Sequence, residues 1–284
     1  MKRIDLVVIG LGYVGLPLAK EAVRSGLAVA GYDHSPTVTE GLNSGRSHVD
    51  DIGDADITAM LAGGFFATSD KTALPAPETV VVCVPTPLSP QGGPDLTAVC
   101  AATETAAKLL HPGMLVVLES TSYAGTTDEI VRPILEQQSD LTAGVDFHLA
   151  FSPERIDPGN KTYGVRNTPK IVGGYTHTCT SAAASFYGKL CDQVVEANSS
   201  REAEMAKLLE NTYRHVNIAL VNEMAIFCRE MGIDLWDAIR CAATKPFGFQ
   251  AFYPGPGVGG HCIPNRPEVP RVQGQHLRLP VPVR

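Results

Sequence analysis

One stretch constrains this chain more than any other. Residues 5–10, DLVVIG, are a short apolar run that enters GLGYVG directly, so Gly10, Gly12 and Gly15 form a G-x-G-x-x-G turn. The following LPLAKEAVRSG has helical spacing and closes on Gly26, a C-cap position. A second apolar run, AVAGYD, ends on Asp33. Strand, glycine turn, helix, strand and acid, in that order, make a dinucleotide-binding unit. The first glycine permits the tight turn, the second admits a pyrophosphate close to backbone, and the third lets helix pack on strand. The helix N-terminus then faces the phosphates. Asp33 suits an adenosine ribose and would repel a 2′-phosphate, and no arginine follows closely, so NAD is favoured over NADP. Gly10, Gly12, Tyr13, Val14, Gly15 and Asp33 are the first candidate cofactor contacts. The bland alternative is a glycine turn in an α/β protein that binds nothing.

The alternation continues. TVVVCVPTP (79–87) is a strand ending in a rigid turn, and DLTAVCAATETAAKLL (95–110) is helical. MLVVLESTSYAGTT (114–127) is a strand followed by a polar turn, and a helix follows to about Gln138. DFHLAFSPE (146–154) and PKIVGG (169–174) are further strands, SAAASFYGKL is helical, and QVVEA (193–197) is a last strand. Strands alternating with helices imply an α/β fold with a Rossmann-like, doubly wound parallel sheet. Ligands of such sheets sit at the carboxyl ends of strands. Thr86, Thr121 and Glu154 fall at or just after those ends, so one crevice can hold all three.

From Ser199 the grammar changes. SSREAEMAKLLENTYRHVNIALVNEMAIFCREMG contains no proline, and no glycine before Gly232. Ser199 and Glu202 fit a capping box. A helix of this length is a rod of about 50 Å, long enough to link domains or to pack on its copy in a homodimer. Lys207 and Asn211 share one face, four residues apart. They are either ordinary solvated residues or an ammonium and an amide set side by side for an oxyanion. After a short second helix in GIDLWDAIRCAAT comes PGPGVGGHCIP, a glycine-rich loop delivering His261 and Cys262. Cysteines are usually buried filler, but one that closes such a loop is a candidate nucleophile.

The formal net charge of -7 and the lack of a Lys/Arg run argue against a nucleic-acid surface. No stretch approaches the roughly 20 apolar residues of a membrane helix, and MKRIDLVVIG is too short for a signal peptide. Seven scattered cysteines without a C-x-x-C pair fit reduced thiols in a cytoplasmic protein. No metal site is expected.

Six segments together, GLGYVGLPLA, CVPTP, ESTSYAGTT, FSPERIDPGN, EMAKLLENTYR and PGPGVGGHCIP, spread over residues 4–264, resemble the nucleotide-sugar 6-dehydrogenases, the family of UDP-glucose and GDP-mannose dehydrogenases. The SPERIDPGN form resembles the branch acting on UDP-N-acetylhexosamines. The resemblance implies oxidation of a sugar C6 alcohol to the carboxylate with NAD, for surface-polysaccharide precursors. It implies capture of the aldehyde by Cys262 and hydrolysis of a thioester. It implies Lys207 and Asn211 at the C6 alkoxide, a water on Thr121, and acid–base work by Glu154. Pro85, Thr86 and Thr121 would lie on the cofactor side, and Glu154, Arg155, Lys207, Asn211 and Gly259 around the sugar.

The resemblance implies a nucleotide-binding domain over 1–197 and a central helical domain over 198–264. It breaks at 265–284. The family continues with an aspartate four residues after the cysteine, where this chain has Arg266. Shifting the frame by one base after the Pro264 codon lets Asn-Arg-Pro-Glu-Val-Pro be read as Ile-Asp-Pro-Arg-Tyr-Leu, which restores the motif. The tail is therefore expected to be out-of-frame and unstructured, with the UDP-binding domain missing. The competing reading is a catalytically silent NAD-binding, dimer-forming fragment. A third is a dehydrogenase of the 6-phosphogluconate or 3-hydroxyacid type, which lacks a nucleophilic cysteine and so does not explain GVGGHCIP.

Overall fold

The computed structural model describes residues 4–89, 93–157, 159–160 and 162–256. Cys262, Gly259 and the tail 265–284 lie outside the described residues. The chain divides into two compact units. One comprises Met1–Pro87 and Pro94–Lys207, and the other Leu88–Gly93 and Leu208–Arg284.

The first unit is an eight-stranded sheet. Its strands are β1 (Ile4–Ile9), β2 (Val29–Tyr32), β3 (Phe66–Thr68), β4 (Pro77–Val82), β5 (Leu115–Leu118), β6 (His148–Phe151), β7 (Lys170–Gly174) and β8 (Val194–Glu196). Their spatial order is β3-β2-β1-β4-β5-β6-β7-β8. Order reverses between β1 and β4, the switch point at which such sheets bind ligands.

Strand alternation builds two cores. Leu6 and Val8 of β1 face one layer with Leu16 and Ala19 of α1 (Gly15–Arg24), Leu42 of α2 (Pro36–Asn43), Ile57 of α3 (Asp54–Ala62) and Phe186 of α6 (His177–Tyr187). Val7 and Ile9 face the other layer, with Val99 and Ala106 of α4 (Thr97–Ala107) and Leu135 of α5 (Arg132–Ser139). Both faces of the sheet are thus covered, which is why the strands are near-continuous apolar runs. A π-helical turn, Thr127–Val131, precedes α5.

The all-parallel expectation fails at one place. β6 and β7 pair antiparallel, with Ala150 opposite Gly174 and Phe151 opposite Gly173. The described residues between them contain no helix, so no crossover returns the chain to the same edge, and the strand comes back reversed. The segment 34–78, left unassigned by the sequence patterns, holds α2, α3 and β3.

The long helix is α7 (Ser200–Met231). Its start uses the expected Ser199 and Glu202 pair, the Glu202 carboxylate also taking a bond from the Ser199 backbone. The Ser199 hydroxyl accepts the Arg201 N–H at 3.1 Å and itself donates to the Glu202 carboxylate. Its first two turns, through Lys207, belong to the sheet unit, and Ala203 is part of that core.

In the second unit, Val221 and Cys228 of α7 form a small core with Leu235 and Ile239 of α8 (Leu235–Ala242). The segment leaving α8 returns to α7. Phe252 packs edge-to-face on Tyr213, with ring centroids 5.7 Å apart, and Gly255 N–H donates to Asn222 Oδ1 at 3.0 Å.

Candidate active site

The glycine turn is held as its sequence requires. Gly10 has φ +94°, and a Cβ there would stand 2.6 Å from the Cys83 carbonyl oxygen. The loops after β1 and β4 therefore meet at the switch point, where Cys83 N–H also donates to Ile9 O at 2.8 Å. A Cβ on Gly15 would lie 1.9 Å from Gly10 O, so only glycine lets α1 approach the turn this closely. A Cβ on Gly12 would meet nothing within 4 Å, so the outer side of the turn is open. The chemistry of this cradle fits a dinucleotide: a helix N-terminus behind an unobstructed glycine, and an acid at the tip of β2.

Asp33 has a structural task as well. Its Oδ2 accepts Leu11 N–H and its Oδ1 accepts Ser35 N–H, each at 3.0 Å, tying the turn to the end of β2. A carboxylate has about four lone-pair sites, so capacity for a ribose hydroxyl remains. Tyr13 is exposed and its hydroxyl donates to Asp50 Oδ2 at 3.2 Å. Val14 precedes α1 as its N-cap residue, and Pro85 is exposed after β4.

Thr86 and Thr121 come together, because the Thr86 hydroxyl donates to the Thr121 carbonyl. Glu154 and Lys207 also meet: Lys207 Nζ donates to the Glu154 backbone carbonyl, and Glu154 Oε1 accepts Ile156 N–H. Arg155 Nη1 donates to Pro169 O at 2.8 Å. Asn211 lies one turn beyond Lys207 on α7, and its Nδ2 is buried without a hydrogen-bond partner among the described residues.

Beneath these loops is a buried polar cluster that sequence patterns missed. Glu119 ends the β5 run and Lys170 opens β7. Lys170 Nζ sits 2.9 Å from Glu119 Oε1, donates to Pro153 O at 3.3 Å, and lies 5.1 Å from the Tyr187 ring centroid. Tyr187 hydroxyl donates to Glu119 Oε1, and Cys83 Sγ lies 4.0 Å from Glu119 Oε2. Burial disfavours the Lys170 ammonium, but the Glu119 and Glu154 carboxylates outweigh it and hold the lysine protonated. Burial, reinforced by Glu119, pushes the Cys83 thiol well up, so this cysteine is inert. The only sequence signal for the cluster was position, an acid at one strand end and a lysine at one strand start.

A second such group is Glu204 in the first turns of α7. Burial pushes its carboxyl up to about 7, although three donors from the loop after β5 oppose the shift. Among the described residues no three or more His, Cys, Asp and Glu side chains could hold a metal ion, and no helix is long and apolar enough to cross a membrane.

The family model for the NAD-binding domain of the UDP-glucose/GDP-mannose dehydrogenase family matches residues 4–191, and that for the family's central domain matches 201–282. The chain is 36% identical over 269 residues to the UDP-N-acetyl-D-mannosamine dehydrogenase of Salmonella typhi, covering 93% of this chain and 64% of that protein. It is 38% identical over 264 residues to the UDP-N-acetyl-D-glucosamine 6-dehydrogenase of Pseudomonas aeruginosa, covering 93% and 61%. The solved UDP-D-ManNAc dehydrogenase of Pyrococcus horikoshii superposes with a TM-score of 0.88 at 37% identity, over 94% of this chain and 63% of that one. The chain thus spans somewhat less than two thirds of the length of these relatives. With both domain models matched in order on a switch-point sheet and a long helix, the chain belongs to the UDP-glucose/GDP-mannose dehydrogenase family, and NAD is the cofactor of its first domain.

Proposed function

We propose that this chain is an NAD-dependent nucleotide-sugar 6-dehydrogenase acting on a UDP-N-acetylhexosamine, in line with the names of its relatives. The observation that carries the reading is the buried amide of Asn211, without a hydrogen-bond partner among the described residues, one helical turn along α7 from Lys207. A buried donor without an acceptor costs about 1–3 kcal/mol, and an oxyanion at the sugar C6 would relieve it.

The cofactor, when bound, accepts the hydride that leaves C6. Gly10, Gly12, Tyr13, Val14, Gly15 and Asp33 would hold its adenosine half, and Pro85, Thr86 and Thr121 would lie toward its reactive end. Lys207 and Asn211 stabilise the C6 alkoxide as the first hydride departs and the alcohol becomes an aldehyde. The Cys262 thiolate adds to that aldehyde as a thiohemiacetal, and loss of a second hydride, to a second NAD+ bound after the first NADH leaves, gives a thioester on Cys262. A water held by Thr121 attacks the thioester, with Glu154 taking its proton, and releases the carboxylate. Arg155 and Gly259 would line the sugar.

We infer further that the chain dimerises through α7. Leu209, Val216, Leu220, Met224, Phe227 and Met231 recur at helical spacing and are all exposed, an apolar seam that a second copy would cover.

The test is to incubate the purified chain with NAD+ and UDP-N-acetylglucosamine or UDP-N-acetylmannosamine and follow NADH absorbance. Two NADH formed per uronate supports the reading. Measurable NAD binding without turnover on either sugar favours a catalytically silent NAD-binding chain.

A further inference from the structure

Glu204 is 2% exposed. Its Oε1 accepts Thr127 N–H at 2.9 Å and the Thr127 hydroxyl at 2.7 Å, and its Oε2 accepts Gly125 N–H. All three donors belong to the segment 119–127 after β5, which contains Thr121. Around this core the same end of α7 clamps the π-helical turn. Ser200 Oγ donates to Asp128 Oδ1 at 2.8 Å, Arg201 Nε to Asp128 Oδ2 at 3.0 Å, and Arg201 Nη2 to Glu129 Oε1 at 3.0 Å. Gly125 has φ +109°, and a Cβ there would lie 2.7 Å from Glu129 Oε1, so the loop is tightly fitted against these groups.

Three residues after Glu204, Lys207 grips the other strand-end loop by the Glu154 carbonyl. One turn of one helix therefore holds the loop after β5 by a carboxyl group and the loop after β6 by an ammonium. Helix capping alone accounts for the Thr127 bonds. It does not account for the bond to Gly125, which lies before the helical turn, or for the opposite grip by Lys207.

We propose, resting on the dehydrogenase reading above, that Glu204 is a positioning residue. Its carboxyl group fixes the Thr121 loop in register with the Glu154 loop held by Lys207, and so sets the separation of the water-holding and acid–base groups. Glu204 touches neither sugar nor cofactor in this role.

The test uses the full 284-residue chain with Glu204→Gln, and Glu204→Ala for comparison. Gln keeps one carbonyl acceptor but turns an N–H₂ toward donors, so amide exchange at Gly125 and Thr127 should quicken about tenfold, with upfield shifts of both amide protons. Val117 in β5 should exchange as in the wild type, and Ala should exceed Gln at the loop. In turnover, Glu204→Gln should lower kcat about tenfold and leave KM for NAD unchanged, because the glycine turn is untouched. Unchanged exchange at Gly125 and Thr127, or an equal rise at Val117, overturns the anchoring. A loosened loop with unchanged kcat overturns the positioning role. A wild-type chain that makes no NADH, with a loop that loosens in Glu204→Gln, supports the anchor and removes the dehydrogenase reading beneath it.

Discussion

The Glu204 carboxyl makes a quantitative prediction for stability against pH. It is buried under the loop after β5, and its folded pKa is raised from 4.5 to about 7, chiefly by burial. Asp128 adds to the rise, while the donors at Gly125 and Thr127 oppose it. The other titratable groups nearby are Tyr123, whose own pKa is raised in part by Glu204, and the Arg201–Glu129 ion pair. A folded pKa above the unfolded one means that the folded state holds its proton longer. The stabilisation is then fully present below about 4.5 and is lost as pH rises through about 7. That gap corresponds to about 3 kcal/mol. Glu204→Gln carries no ionisable group and should show no such loss. Urea unfolding followed by far-ultraviolet circular dichroism, at a series of pH values for both chains, measures the difference. The wild type should lose about 3 kcal/mol relative to Glu204→Gln across the window. A flat difference, or a wild type that gains on the variant as pH rises, would refute the reasoning. Hydrogen bonding, not burial, would then dominate this carboxyl.

Gly12→Ala should leave the melting temperature unchanged, since its Cβ meets nothing, yet lower NAD affinity at least tenfold by calorimetry. Gly15→Ala should damage both, because its Cβ falls on the Gly10 carbonyl. Lys170→Met removes the counter-cation of Glu119, a carboxyl that burial already pushes up, and should cost about 3–5 kcal/mol in urea unfolding, with much of it recovered in Lys170→Met/Glu119→Leu. Cys262→Ser should bind NAD as the wild type does and yield no uronate, measured by chromatography of the products. Sequencing the DNA across codons 264–272 should reveal an open continuation in the shifted frame; without one, the account of the tail fails.

The first βαβ unit was legible because each of its residues has a local job. Gly10 bends, Gly15 packs, and Asp33 ends a strand, all within one window of sequence. The region 34–78 was not legible, since α2 and α3 are short helices whose place is fixed by packing Leu42, Ile57 and Met60 on the sheet. The Lys207 and Glu154 pairing was half legible. Strand ends placed Glu154 in the crevice and the resemblance put Lys207 near the sugar, but the bond from the ammonium to the Glu154 backbone carbonyl was not readable from either.

By itself the sequence determined the alternation of strands and helices, the glycine cradle and the long rod, because period, turn chemistry and capping act over a few residues. Only the tertiary structure decided the antiparallel return of β7, the burial of Glu119 with Lys170, and the seat of Glu204 under a loop almost eighty residues away in the chain. Those depend on which distant groups share a low-dielectric space, and no local pattern encodes that.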